Sequence, residues 1–148
     1  KNINNVSYNK FNQRIENTKK VINLFLSKTK KKDVIAYGAS TKGNIVLNHC
    51  GINKDKIKYI CDANPYKFNK YTPGSSLKII SKKKMRSIKP KYLLVLIWSF
   101  RSEVIKQEID YIKKGGTLIF HLPIFHVIDK NNYRSYINSS FESLSYEI

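Results

Sequence analysis

Acidic side chains are scarce in this 148-residue chain: ten Asp and Glu stand against 28 Lys and Arg, a net charge of +18. Cysteine is scarcer, with Cys50 and Cys61 alone. Their spacing makes neither a CxxC redox pair nor a zinc knuckle, and in a reducing compartment such residues are small buried apolar groups. The longest apolar run, Tyr92 to Trp98, falls far short of the roughly 20 residues that cross a bilayer. No apolar segment of signal-peptide type follows the basic start, so the expected compartment is cytoplasmic. Disulfide scaffold, Cys-rich metal module and membrane protein are all disfavoured. Arginine is thin too, at Arg14, Arg86, Arg101 and Arg134, although it is the better fork for phosphates and base edges. Lysine is enriched with Asn, Ile and Tyr along the whole chain, which is a compositional bias and not a shaped patch. A charge-driven nucleic-acid binder is therefore only the third reading.

What is present describes a folded domain. A 41% apolar fraction and 12% aromatic content support one continuous core, and the length suits a single domain. Phe11, Ile15, Ile22, Phe25 and Leu26 recur at the spacing of one helix face, predicting an amphipathic helix over 8–32. The apolar run 34–37 stops at Gly38 and reads as a buried strand, followed by a turn, 38–43, and a helix over 44–50 that Gly51 caps. Further strands are expected at 57–61, 77–80, 92–97 and 117–120, with helices at 82–87 and 103–114.

Strands alternating with helices predict an α/β, three-layer Rossmann-like domain. Right-handed crossovers make a parallel five-stranded sheet of order 3-2-1-4-5 the simplest solution. Ile35, Leu94 and Val95 should be among its most buried residues. The expected organisation is a helix over 1–32 packing on or leading into the domain, a Rossmann-like body over 33–126, and a C-terminal extension of mixed character over 127–148.

In such sheets, ligands bind beyond the C-terminal strand ends where the winding direction reverses. Here the turn 38–44 forms one wall of that crevice, and Trp98, Ser99, Phe100 and Arg101 form the other. A dinucleotide fingerprint needs G-x-G-x-x-G, yet Ser40 stands in place of the middle glycine. A P-loop needs G-K-[ST], yet Asn44 follows Gly43. What remains is Gly38 and Gly43, two hydroxyls, Lys42 and a helix N-terminus. That set suits an anion site and a plain strand-to-helix turn equally well. Asp62 lies where dinucleotide folds place a ribose-binding acid, and it equally suits a loop start before Asn64 and Pro65. The histidines form no metal or triad constellation. His49 reads as an ordinary helix-end residue, whereas His121 lies close to the crevice and is a candidate ligand. Ser40 and Ser99 have no visible base partner, so no nucleophile, catalytic residue or metal-ligand set is expected.

Several ordered segments resemble one family. Residues 35–44 (IAYGASTKGN), Leu47-Asn48 and Cys50-Gly51-Ile52 look like the opening of the C-terminal domain of sugar C-methyltransferases. So do 61–67 (CDANPYK), 70–74 (KYTPG), 96–100 (LIWSF), 114–117 (KGGT) and Pro123. The likeness covers about residues 10 to 125. It implies enzymes that move a methyl group from S-adenosylmethionine to a carbon of a nucleotide-linked keto-deoxysugar. A base removes the proton alpha to the ketone, and the enolate carbon then attacks the methyl sulfonium. The resemblance further implies that base and cofactor belong to an upstream methyltransferase domain, so this chain alone should not be catalytic. It would be either an excised part or a free-standing relative. Ser99, where the family usually has Asn, and His121-Leu122-Pro123 depart from the pattern and bear on which sugar is recognised.

The first expectation is therefore a substrate-side domain that helps position a nucleotide-sugar. Its binding residues would be Tyr37, Gly38, Ser40, Lys42, Gly43, Asn44, Asp62, Tyr71, Trp98, Ser99 and His121, with stacking from Tyr37, Tyr71 or Trp98. The second is a stand-alone Rossmann-like binding or scaffolding module assisting a separate partner protein. Neither needs a specific nucleic acid or a membrane.

Overall fold

A computed structural model describes residues 5–139, with side chains from residue 7. The elements run α1 (Asn5–Ser27), β1 (Val34–Tyr37), α2 (Thr41–His49), β2 (Tyr59–Asp62), β3 (Lys78–Ser81), α3 (Lys82–Ile88), β4 (Tyr92–Val95), α4 (Arg101–Gln107), α5 (Ile109–Lys113), β5 (Thr117–Phe120), β6 (His126–Ile128) and α6 (Tyr133–Ile137). No described helix is long and apolar enough to cross a membrane.

The sheet order is β3-β2-β1-β4-β5-β6. The first five strands are parallel, with β1 in register against β4 from Val34 opposite Tyr92 to Tyr37 opposite Val95. That corrects the expected five strands to six. β6 joins the edge antiparallel to β5, Phe120 opposite His126 and Leu118 opposite Ile128. A three-residue strand is too short for its alternation to stand out. It forms because the chain turns back at 121–125 and buries His126 and Ile128 while leaving Val127 exposed. Residues 140–148 of the expected extension lie outside the described residues.

Alternating side chains of the central strands feed two cores, as period-2 geometry requires. On one face Val34, Ala36 and Leu94 pack with Ile22 and Leu26 of α1 and Leu47 of α2. On the other Ile35, Tyr37, Leu93 and Val95 pack with Met85 of α3, Val104 and Ile105 of α4 and Ile112 of α5. Ile35, Leu94 and Val95 are buried as expected.

Two helices depart from the sequence pattern. Phe11 was expected on the buried face of α1, yet it is 58% exposed, and only the later residues Ile22 and Leu26 are buried. The single helix expected over 103–114 is broken between α4 and α5 at Glu108, whose backbone leaves helical geometry at φ −109°, ψ 22°. Its side chain is drawn inward, fully buried, to a tyrosine and an arginine.

Candidate functional site

The first turn owes its shape to packing. Gly38 has φ +92°, and a Cβ there would lie 2.6 Å from Ile97 Cγ2. A Cβ on Gly43 would lie 3.1 Å from both the Gly38 carbonyl and Leu96 Cβ, so this glycine lets α2 approach the strands closely. Ser40 is the N-cap of α2: its hydroxyl accepts from the Gly43 amide at 3.0 Å. A glycine there would forfeit that bond, which explains the departure from the dinucleotide pattern.

Asp62, at the end of β2, clasps this turn. Its Oδ2 accepts from the Ala39 amide at 2.8 Å and from Lys67 Nζ at 3.4 Å, and its Oδ1 accepts from the Asn64 amide at 2.8 Å. Lys67 also donates to the Ala39 carbonyl at 2.9 Å. Both peptide groups of Ala39 are thus engaged. The Thr41 and Lys42 amides, at the first two positions of α2, have no intrahelical acceptor and point out of its positive end. The Lys42 side chain is exposed beside them; Asn44 is half-buried, its Oδ1 enclosed without a hydrogen-bond partner among the described residues.

Beside the turn, a cavity of about 370 Å³ opens on the α3–α4 face of the sheet. Tyr37, Gly38 and Asp62 line it, together with Lys82 of α3, Phe100 just before α4, and Glu103 and Gln107 of α4. Phe100 was expected on a wall of this crevice; Lys82, Glu103 and Gln107 were not foreseen, because only the crossovers bring α3 and α4 together. The available signal was Lys82's place directly after β3, at the same end of the sheet as the first turn. Tyr71, Trp98, Ser99 and His121 do not line the cavity. Tyr71 is 63% exposed on the loop before β3, Trp98 packs half-buried against the core, and Ser99 is exposed.

A charged network closes the cavity wall. Buried Glu108 accepts from the Tyr37 hydroxyl at 2.9 Å and from Arg86 Nη2 at 2.9 and 3.0 Å. Lys82 lies 3.8 Å from the same carboxylate, donates to Gln107 Oε1 and sits 4.9 Å from the centre of the Tyr37 ring. Burial, with the negative Glu108 beside it, pushes the Tyr37 hydroxyl well above the ordinary tyrosine range, so it stays a proton donor. A larger hollow of about 720 Å³ lies between α3 and α5 near Lys91 and Gly116, at the opposite end of the strands. Its Arg86 is committed to Glu108 and its lysines are exposed, so its size alone does not make it the better site.

His121 is enclosed at the end of β5. Nδ1 lies 3.2 Å from the Val95 carbonyl, and Nε2 is buried without a partner among the described residues. Burial lowers its pKa to about 4, so the ring is neutral at physiological pH and Nδ1 carries the donated proton. Next to it His126 stacks between Phe120 and Tyr136, at 5.0 and 5.4 Å between ring centres. Nearby Arg101, also buried, donates to the carbonyl and hydroxyl of Ser139.

Residues 2–123 match the family model described as the C-methyltransferase C-terminal domain. Over 97 residues the chain is 35% identical to "C-methyltransferase NovU" of Streptomyces niveus. That stretch is 66% of this chain and 23% of the relative, so the chain corresponds to a minor part of that protein's length. With most of its residues matched by the family model, the chain belongs to the C-methyltransferase C-terminal domain family.

Proposed function

We propose that this domain is the substrate side of a C-methyltransferase acting on a nucleotide-linked keto-deoxysugar, and that its role is to hold and orient the sugar nucleotide. The observation that carries this reading is the junction at Gly38. Gly38, where the turn towards the positive end of α2 begins, also lines the 370 Å³ cavity, so a diphosphate and an attached ring find neighbouring environments. In this reading the Thr41 and Lys42 amides and the Lys42 ammonium take the phosphates, as fixed dipoles and a point charge. The partner is an upstream methyltransferase domain or a separate protein that supplies the other wall.

S-adenosylmethionine is the methyl donor that family membership implies. A Rossmann-type cradle for it would use the acid after β2 on the ribose hydroxyls, but Asp62 commits both oxygens within the protein. The first turn does not fit that cofactor, and no methyl-transfer step is assigned to this chain. Its own residues bind, orient and exclude water.

Salt dependence tests the reading. Polyanion binding loses affinity steeply as salt rises, because each neutralised phosphate releases a counterion. A diphosphate held by one lysine and backbone amides should show a shallow dependence. RNA or DNA should therefore associate weakly at low salt and release at physiological salt, while a pyrimidine-diphosphate sugar stays bound at roughly millimolar concentration. Tight, sequence-dependent nucleic-acid binding at physiological salt would overturn the assignment.

A further inference from the structure

We infer that the cavity between α3 and α4 receives a hydroxyl-bearing sugar ring, with Glu103 and Gln107 as its hydroxyl ligands. This rests on the proposal that the domain binds a sugar nucleotide and assigns one part of that ligand to one wall. Glu103 and Gln107 lie four residues apart on α4 and therefore share a face, and both line the cavity. Glu103 is exposed and has no partner among the described residues, so its carboxylate is open to accept from hydroxyls. Gln107 Oε1 is held by Lys82 and faces the Tyr37 hydroxyl at 3.5 Å, which fixes the amide and leaves its N–H groups without an acceptor among the described residues.

The charge inventory argues for a hydroxylated ring over a phosphate at this wall. Lys67, Lys82 and Arg86 are balanced by Asp62, Glu103 and Glu108, and the contacts among them pair every carboxylate but Glu103. The charged side chains that line the hollow itself, Asp62, Lys82 and Glu103, carry no net positive charge, unlike the amide end of α2. Hydroxyls both donate and accept, which matches an open carboxylate beside an amide and an ammonium. The floor is apolar, made by Tyr37, Ile97 and Val104, and Phe100 presents a ring 56% exposed at the rim. Such surfaces accommodate the C–H face of a sugar while polar groups at the edge fix its orientation. A volume of about 370 Å³ suits one such ring.

A ribose and a hexose share this chemistry, and three probes separate them: thymidine diphosphate, uridine diphosphate and thymidine-diphosphate-glucose. They are titrated into the full chain and into Glu103→Ala and Lys42→Ala, using calorimetry backed by ligand-observed NMR. Glu103 is exposed and unpaired, so Glu103→Ala should melt as the parent does. Lys42→Ala should weaken all three probes alike, since all carry the diphosphate. Glu103→Ala should leave thymidine diphosphate unchanged and weaken one hydroxyl-rich probe by roughly tenfold. Loss confined to the glucose conjugate places the hexose in the cavity, and loss confined to uridine diphosphate places the ribose there. Equal affinities of the parent and Glu103→Ala for every probe would overturn the assignment while leaving the sugar-nucleotide reading standing. Failure of the parent to bind any probe would overturn both.

Discussion

Acidification should weaken this fold through His121. In the folded chain the imidazole is enclosed, donates to Val95, and is held to a pKa of about 4 by burial. In the unfolded chain it titrates at its ordinary value near 6.5. Between those values the unfolded state binds the additional proton, so stability is full above about pH 6.5 and falls as the pH drops towards 4. The shift is worth about 3 kcal/mol when complete, and about 2 kcal/mol of it should already be lost between pH 7 and pH 5. Neighbouring His126, whose pKa is also lowered by burial, adds to the slope. His121→Asn isolates the effect, because an amide nitrogen can replace Nδ1 as donor to the Val95 carbonyl and does not titrate. Urea unfolding at the two pH values should give the Asn variant a loss smaller by about 2 kcal/mol than that of the parent. Parallel pH dependence in both proteins would refute the reasoning, and would mean that the buried imidazole is hydrated or repacks at no cost.

Three substitutions probe the site and its support. Lys42→Ala should weaken sugar-nucleotide binding by roughly 1–3 kcal/mol, the range for losing a charge-assisted hydrogen bond, and equal affinities in calorimetry would remove Lys42 from the site. Arg86→Met should destabilise the fold by about 2 kcal/mol, since it leaves the buried Glu108 carboxylate with only the Tyr37 hydroxyl and the more distant Lys82. Adding Glu108→Gln should recover part of that loss, as read by denaturant midpoints. Gly38→Ala should cost about 2 kcal/mol, part from φ +92° and part from the overlap with Ile97. Combining it with Ile97→Ala should relieve the steric share alone, which chemical denaturation can resolve.

The legible parts of the fold were those whose periodicity runs long enough to be read. Val34 to Tyr37 and Tyr92 to Val95 form adjacent central strands because continuous apolar runs can be buried on both faces. β6 escaped because three residues offer no period, and the break at Glu108 escaped because its cause is an ion pair with Arg86, 22 residues earlier. In the site, the first turn was legible from its glycines, but their reason was not: the contacts of Gly38 and Gly43 lie on the β4 side, at Ile97 and Leu96. Asp62 stood at a recognised position, yet its partners Ala39 and Lys67 are visible only in three dimensions. Lys82, Glu103 and Gln107 come from two helices whose proximity is a product of topology. Local spacing carries no trace of it.

The uneven packing of α1 has a consequence for how the chain opens. Its later turns are tied down: Asn23 donates to the Cys50 carbonyl at 2.9 Å and accepts from Lys56 at 2.7 Å, and Phe25 meets Tyr92 edge-on at 5.3 Å. Its earlier turns, from Ser7 to Arg14, are exposed throughout. A helical stretch that short is marginal in water without tertiary support. One continuous helix therefore spans two cooperative units: amides around Ile22 exchange only when the sheet itself opens, whereas those around Phe11 exchange by fraying. Docking of a second body against Tyr8 and Phe11 would merge the two units and carry the protection of the sheet outward along the helix.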